Sequence, residues 1–518
     1  MSELGFWTHA QRSPEKLALV EPHNHHEVTA GELLSAANQV VHGLRALGLK
    51  QGDCVAVLLP NSAEVFEVFM AGAQAGLYIA PLNWHLTAGE IAYILKDSGA
   101  KALVCAARFG DASREAAESI GFPPEARFSV GEIPGFRPYA ELKRGQPTSL
   151  PADRTAGGPM TYTSGTTGKP KGVRRAMGTV SPELVATSQA MFLSLFGILP
   201  GSPGVHLVVA PLYHTAVLNF ATNHLHLGHS VVLMDKWTPE ETLTLIEKYG
   251  VTNTHMVPTM FTRLLKLPES VRKKSVVSLL THVIHGAAPC PIDVKRRMLD
   301  WWGPCIYEYY AASEGGGTLA TPKQWLEKPG TVGLPWPISQ IRILDDDKQP
   351  VKTGETGTVW IRMGEHKFEY HKDQKKTADA WSDGFFTVGD AGYLDADGYL
   401  FLCDRKADMI IAGGVNIYPA EIESVFVMHP LVADVAVFGI PNEDWGEEVK
   451  AVVQPSPGAA IAGPALEAEL REFAVGKLAK FKIPRSIDFI EEMPRDPNGK
   501  LYKRKLRDPY WKGRDKAI

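Results

Sequence analysis

The run Tyr162–Gly172, YTSGTTGKPKG, gathers three glycines, four Ser/Thr hydroxyls and two lysines into eleven residues. That composition suits polyphosphate. Successive backbone amides near Gly165, Gly168 and Gly172 can form an anion nest. Thr163, Ser164, Thr166 and Thr167 can add hydroxyl donors, and Lys169 and Lys171 can neutralise charge. Glycine tolerates the backbone angles and the close approach that such a cradle needs. The run is not a P-loop, because Gly168-Lys169 is followed by Pro170 and not by the Ser or Thr that would hold magnesium there.

Further blocks follow in order: PLYHTA at 211–216, HGAAP at 285–289, YEYYAASEGGG at 307–317, WSDGFFTVGD ending at Asp390, CDRKADM around Arg405, and MPRDPNGKLYKRKLR carrying Lys500. With the opening run they resemble the signature of the adenylate-forming superfamily, which comprises acyl-CoA synthetases, amino-acid adenylation domains and luciferases. The likeness covers nearly the whole chain and is greatest to a bacterial-type fatty acyl-CoA synthetase.

The resemblance implies a role for each block. Residues 163–169 and Lys171 would clasp the β- and γ-phosphates of ATP. Gly286, Ala287 and Ala288 would pack beside adenine, with Glu308, Tyr309, Tyr310 and Ala311 completing the nucleotide wall and Tyr310 covering the base. Ser313 would contact the α-phosphate. Glu314, with Thr166, would hold Mg2+, a hard cation suited to carboxylate and phosphate oxygens. Asp390 would accept both ribose hydroxyls, with Arg405 beside it. Lys500 would bridge the acid and the α-phosphate during attack, a preorganised charge where negative charge gathers. His214 would gate the acyl pocket, which Tyr213, Asn219, Ala312 and Gly315 would line. Coenzyme A would pass Gly413 and Gly414 and meet Trp445 and Phe481. Ala311 departs from the usual glycine, and Ala407 from the usual polar hinge residue, so pocket shape and the balance of domain poses are where this chain differs.

These residues need a scaffold, and the periodicity supplies one. Capping boxes at Thr29–Glu32 and Thr87–Glu90 open amphipathic helices. The first helix puts Leu33, Ala37, Val40, Val41, Leu44 and Leu47 on one face, with Gly48 as its stop. CVAVLLP, YIAPLN, KALVCA, GVHLVVAPL, HSVVLMD and VTNTHMVP read as strands alternating with helices, which implies a largely parallel sheet. From 340 to 397 the texture changes to short β segments with Gly and Asp turns. The fold class expected is α/β: a large N-terminal domain of mainly parallel sheets with a small β-rich subdomain, and a mobile α+β C-terminal lid. The expected boundaries are 1–403 for the ATP- and acid-binding domain, 404–407 for a hinge centred on Ala407, and 408–518 for the lid.

The chain has 518 residues and a net charge of −4, so nothing global calls for nucleic acid. Residues 471–518 hold 14 Lys/Arg against 7 Asp/Glu, a basic end that can bind phosphates and is compatible with weak peripheral membrane contact. No apolar run reaches a membrane span. The five cysteines are scattered, form no CxxC pair and point to reduced thiols in a cytoplasmic setting rather than to disulfides or zinc. His224, His226 and His229 match no standard zinc spacing.

The expected activity is AMP-forming acyl-CoA synthesis, an acid–thiol ligation with ATP, Mg2+ and coenzyme A. Its acid would be a medium- or long-chain fatty acid or a bulky alicyclic, steroid-type one. The stretch PLYHTAVLNFA has no carboxylate to hold an α-amine, which argues against amino acids. Open alternatives are an acyl-AMP ligase loading a carrier protein, a luciferase-type oxygenase and a non-catalytic acyl- or nucleotide-binding paralogue. The particular acid, the pathway and the oligomeric state, a homodimer included, stay open at this level.

Overall fold

Apolar strands flanked by capped helices build two parallel sheets. The computed structural model describes residues 4–163, 170–175, 177–312, 314–364, 368–405, 408–459, 463–496 and 499–512. Both capping boxes form as the sequence predicts. Thr29 and Thr87 each accept from the backbone of the glutamate three residues on, which reaches back to the threonine amide.

The first sheet runs, in spatial order, Leu17–Glu21, Ser230–Leu233, Val205–Val208, Asn253–Met256, His282–His285 and Ile306–Ala312, all parallel. Antiparallel strands close its edges, His26–Thr29 on one side and Gly315–Ala320 with Leu334–Pro335 on the other. The second sheet is parallel, with Cys54–Leu58 and Ala100–Ala106 at its centre. Helices Ala30–Ala46 and Ala63–Ala75 bury their apolar faces in one core shared by both sheets. Leu47 is the exception on the predicted face: it falls past the last helical residue and stays half-buried.

The β-rich segment is an antiparallel sheet of Ser339–Leu344, Gly357–Met363, Trp381–Ser382, Phe385–Phe386, Asp390–Leu394 and Leu400–Arg405. A separate three-stranded sheet joins Thr161–Thr163, Lys171–Arg174 and Glu369–Tyr370. It fixes both ends of the glycine-rich run. The C-terminal region has its own core, in which Ile422 and Phe426 of helix Pro419–Phe426 pack on the long hairpin Val432–Asn442 and Gly446–Pro455.

Two polar features are buried in the larger core. Lys295 and Glu308 pair at 2.7 Å with both side chains out of solvent, and the ammonium lies 4.8 Å from the Trp325 ring centroid. Histidines are buried in unusual number: His206, His224, His226, His229, His255 and His285 all lie inside. His224 and His229 meet Nδ1 to Nδ1 at 2.9 Å, and His206 stacks on His224 with centroids 4.2 Å apart. Burial pushes the imidazoles down, to about 3 for His226 and His255 and about 4 for His229.

Two outcomes are expected. Lys295→Ala strands the Glu308 carboxylate in the core, and urea titration should show a loss of about 3–5 kcal/mol. The histidines are neutral in folded and unfolded chain above about pH 6.5. Below that the unfolded chain takes up protons that the folded chain refuses, until pH falls to the depressed values. Stability is therefore lost as pH drops from 6.5 towards 4, by at most about 1.4 kcal/mol per residue per pH unit. Scanning calorimetry should find Tm several degrees lower at pH 5.5 than at pH 7.5; a flat profile would contradict this.

Candidate functional site

The antiparallel hairpin Asp390–Leu394 and Leu400–Arg405 sets Asp390 directly opposite Arg405. The carboxylate lies 3.7 Å from Arg405 Nε, and it accepts a 2.6 Å hydrogen bond from the Tyr310 hydroxyl. Three residues from separate sequence blocks thus meet at one corner. Burial, then the Asp390 charge, pushes the Tyr310 phenol up, so it remains a donor. Beside it, Gly286 approaches Tyr309 so closely that an added Cβ would lie 2.7 Å from the Tyr309 carbonyl oxygen. Ala287 follows in the left-handed region at φ 67, which glycine favours and an alanine occupies at a cost of about 1–2 kcal/mol. Ala288 is half-buried at the end of this bend.

Two side chains of this block go elsewhere. Glu308 shares a face with Tyr310 but sits one pleat deeper, under helix Ile292–Trp302, where its carboxylate is taken by Lys295. Tyr309 points to the opposite face, and its hydroxyl lies 3.0 Å from His255 Nε2. Neither side chain is presented to the Tyr310–Asp390 corner.

At the phosphate end, Ser164, Gly165, Thr166, Thr167, Gly168 and Lys169 lie outside the described residues, as do Ser313 and Ala407, and Thr163 enters only through its backbone pairing with Lys171. Lys171 Nζ lies 3.1 Å from Asp373 Oδ2. Asp373 also caps helix Gln374–Asp379 and so places Lys376. Burial and the adjacent Lys171 lower the Lys376 ammonium to about 8, and its Nζ lies 4.4 Å from the Tyr370 ring centroid. Tyr370 in turn donates a 2.8 Å hydrogen bond to Glu314 Oε1. Sequence reasoning missed Tyr370, Asp373 and Lys376. The string YHKDQKK signals charge, but not that it folds against Glu314.

Glu314 is a hard oxygen donor held in place by Tyr370. Among the described residues no three His, Cys, Asp or Glu side chains gather as a metal cage. A lone carboxylate of this kind fits Mg2+, which keeps its waters and takes phosphate oxygens rather than needing an all-protein shell.

Lys500, in the C-terminal region, lies within electrostatic reach of this corner. Burial and the Arg405 charge push its ammonium down, while Asp496, Asp408 and Glu314 act in the opposite direction. Lys500 therefore shares one electrostatic neighbourhood with Arg405 and Glu314.

The loop that carries Tyr213 and His214 is fixed by a residue that the sequence reading passed over. Buried Asn61 donates to the carbonyls of Ala210 and Met234 at 3.0 and 2.9 Å and accepts from Leu212 N at 2.8 Å. This pins the chain where it leaves the strand Val205–Val208, four residues earlier than GVHLVVAPL suggests, and so sets Tyr213 and His214. Tyr213 packs edge-on to Trp84 at 4.8 Å. His214 Nε2 lies 2.8 Å from Asp496 Oδ1 of the lid. Behind, helix Thr215–His226 carries half-buried Asn219 and the buried Phe220, which stacks on His255 at 4.8 Å. Phe196, Phe220, Tyr309 and Trp336 form an aromatic cluster against which Ala311 packs. Ala312 is half-buried, and Gly315 is buried with φ 131.

On the remaining lid face, Gly413 and Gly414 form the positive-φ turn between Ala412 and Val415. An added Cβ on Gly413 would lie 2.4 Å from the Trp445 ring. Trp445 is 48% exposed with the Arg485 guanidinium 5.4 Å from its centroid, and Phe481 is 55% exposed. Both are surface rings, not core.

Two family models match the chain, "AMP-binding enzyme" over residues 6–367 and "AMP-binding enzyme C-terminal domain" over residues 421–500. Among curated proteins, a fatty acid–[acyl-carrier-protein] ligase, ScoC of Streptomyces coeruleorubidus, is 33% identical over 513 residues, covering 97% of this chain and 95% of the relative. A feruloyl-CoA synthase of an Amycolatopsis species is also 33% identical, over 97% of this chain and 98% of its own. Among solved structures, the anthranilate CoA ligase AuaEII in complex with anthranoyl-AMP superimposes with a TM-score of 0.84 at 26% identity, over 98% of each chain. With matches that run almost end to end and a site whose dispersed blocks converge, the chain belongs to the AMP-binding enzyme family of adenylate-forming ligases.

Proposed function

We propose that this chain is an AMP-forming acyl-CoA synthetase with ATP, Mg2+ and coenzyme A. The observation that carries the reading is the meeting of Tyr310, Asp390 and Arg405 at one corner, with Lys500 within electrostatic reach of Arg405 and Glu314. In the first half-reaction a carboxylate oxygen of the acid attacks the α-phosphorus of ATP, and pyrophosphate leaves. Two anions must approach, and a lysine at their meeting point lowers the repulsion and holds the line of attack. Lys171 and Lys376 stand where they can offset the charge on the departing pyrophosphate. Mg2+ bound near Glu314 would screen phosphate charge. Asp390 and Arg405 hold the ribose, and the residues around Tyr310 and Ala287 hold the base.

In the second half-reaction the thiol of coenzyme A attacks the acyl-AMP carbonyl and AMP leaves. An acyl phosphate anhydride is a far better electrophile than a carboxylate, which is the reason for dividing the work. The 404–407 segment serves as the hinge on which residues 408–518 exchange one face for another. The exposed Trp445 under Arg485 offers a flat ring and a cation, the chemistry that a 3′-phosphorylated adenosine needs. This favours coenzyme A over a carrier protein as acceptor.

The acid is hydrophobic and lacks an α-amine. The aromatic cluster of Phe196, Phe220, Tyr309 and Trp336, with one polar pair at His255, supports a cyclic or aromatic acid ahead of an extended chain.

Lys500→Ala should lower acid-dependent ATP–pyrophosphate exchange on the order of 10²–10³-fold, while supplied acyl-AMP still becomes thioester. Normal exchange in that variant would remove Lys500 from its role. Across a panel of acids, kcat/KM with free coenzyme A should be highest for aryl and alicyclic acids. Highest values for long linear acids would refute that preference, and thioester formed only on a carrier protein would refute the choice of acceptor.

A further inference from the structure

Four residues before Lys500, the lid carries a carboxylate that the mechanism above does not use. Asp496 is 7% exposed, and residues of both domains surround it. From the large domain, His214 Nε2 lies 2.8 Å from Oδ1, and Asn83 donates to Oδ2 at 3.2 Å. The Tyr213 phenol lies beside it, pushed up by burial and then by the Asp496 charge. From the lid, Tyr502 donates to Oδ2 at 3.0 Å. The backbone ties this residue to the catalytic lysine: Asp496 N donates to the Lys500 carbonyl at 2.8 Å, and Gly499 N donates to the Asp496 carbonyl at 2.7 Å. Asp496 and Lys500 are thus two ends of one closed turn. A buried carboxylate is costly unless it is paired. His214 and Asn83 belong to the large domain, so the pairing of this carboxylate out of water depends on the lid being docked in this pose.

We propose that Asp496 is a positioning residue: it locks the Lys500 turn onto the His214 loop for acyl-adenylate formation, and its departure frees His214 for the thioester step. The inference rests on the two-step reading given above. When the lid swings away, Asp496 regains water and His214 loses the acceptor that fixes its ring. The same contact therefore places the lysine and holds the residue at the acid pocket's mouth. Charge-assisted contacts in a desolvated interface are strong enough to bias such a two-state docking.

The test measures both half-reactions separately in the full chain. Asp496→Ala should slow acyl-AMP formation on the order of 10–100-fold, the effect of misplacing a catalytic group by about an ångström. Conversion of supplied acyl-AMP to thioester should stay within about twofold, the spread of uncoupled effects. Asp496→Asn keeps the shape and the bonds from Asn83 and Tyr502 but not the charge facing His214, so it should fall between the two; it also serves if the alanine variant does not fold. In a double-mutant cycle on the adenylation rate, His214→Ala should add little to Asp496→Ala. Equal loss in both half-reactions, an intact adenylation rate or full additivity would each overturn the proposal. Lys500→Ala assayed alongside separates the failures. If it abolishes adenylation while Asp496→Ala does not, only the latch falls. If neither variant affects adenylation, the catalytic reading falls with it.

Discussion

Bringing a carboxylate against a polyphosphate is electrostatically uphill, and the placement of cations in this molecule answers that constraint. Lys171 and Lys376 stand at one end, Arg405 beside Asp390, and Lys500 in the C-terminal region. Three of the four have carboxylates near them. Asp373 neutralises Lys171, Asp390 stands near Arg405, and Asp496 with Asp408 offsets part of the burial of Lys500. Glu314 is held by a phenol, Tyr370, rather than by one of these cations, which leaves it a negative oxygen suited to a divalent metal.

The scaffold serves this arrangement with little redundancy. The strand Ile306–Ala312 parts its tyrosines: Tyr310 faces Asp390, and Tyr309 faces His255 and the aromatic cluster. Below them Glu308 anchors the strand to helix Ile292–Trp302 through Lys295. Asn61 does for the His214 loop what Glu308 does for the strand, by a side chain whose polar atoms are all bonded to backbone.

Local features were legible in the sequence. Thr29 with Glu32 and Thr87 with Glu90 announce helix starts because cap and partner are three residues apart. Asp390, Arg405, Tyr310 and Lys500 were legible as members of ordered blocks, and the fold sets the first three at one corner. Asn61, Tyr370 and Asp496 were not, because each acts through partners far away in the chain, and a lone Asn, Tyr or Asp carries no periodicity. Glu308 and Tyr309 were assigned with their neighbours in a block, whereas a strand turns successive side chains to opposite faces and sets alternate ones at different depths. The end of the strand before His214 was missed because a side-chain clamp, not an apolar pattern, stops it.

Ala287 has a consequence of its own. A glycine in its place would relax the backbone, yet it would also open many conformations to the bend beside Tyr310. Alanine confines that bend to a narrow basin. The methyl group trades folding enthalpy for lower local entropy, so a base entering the site would meet a wall already set in shape and would not have to order it on arrival.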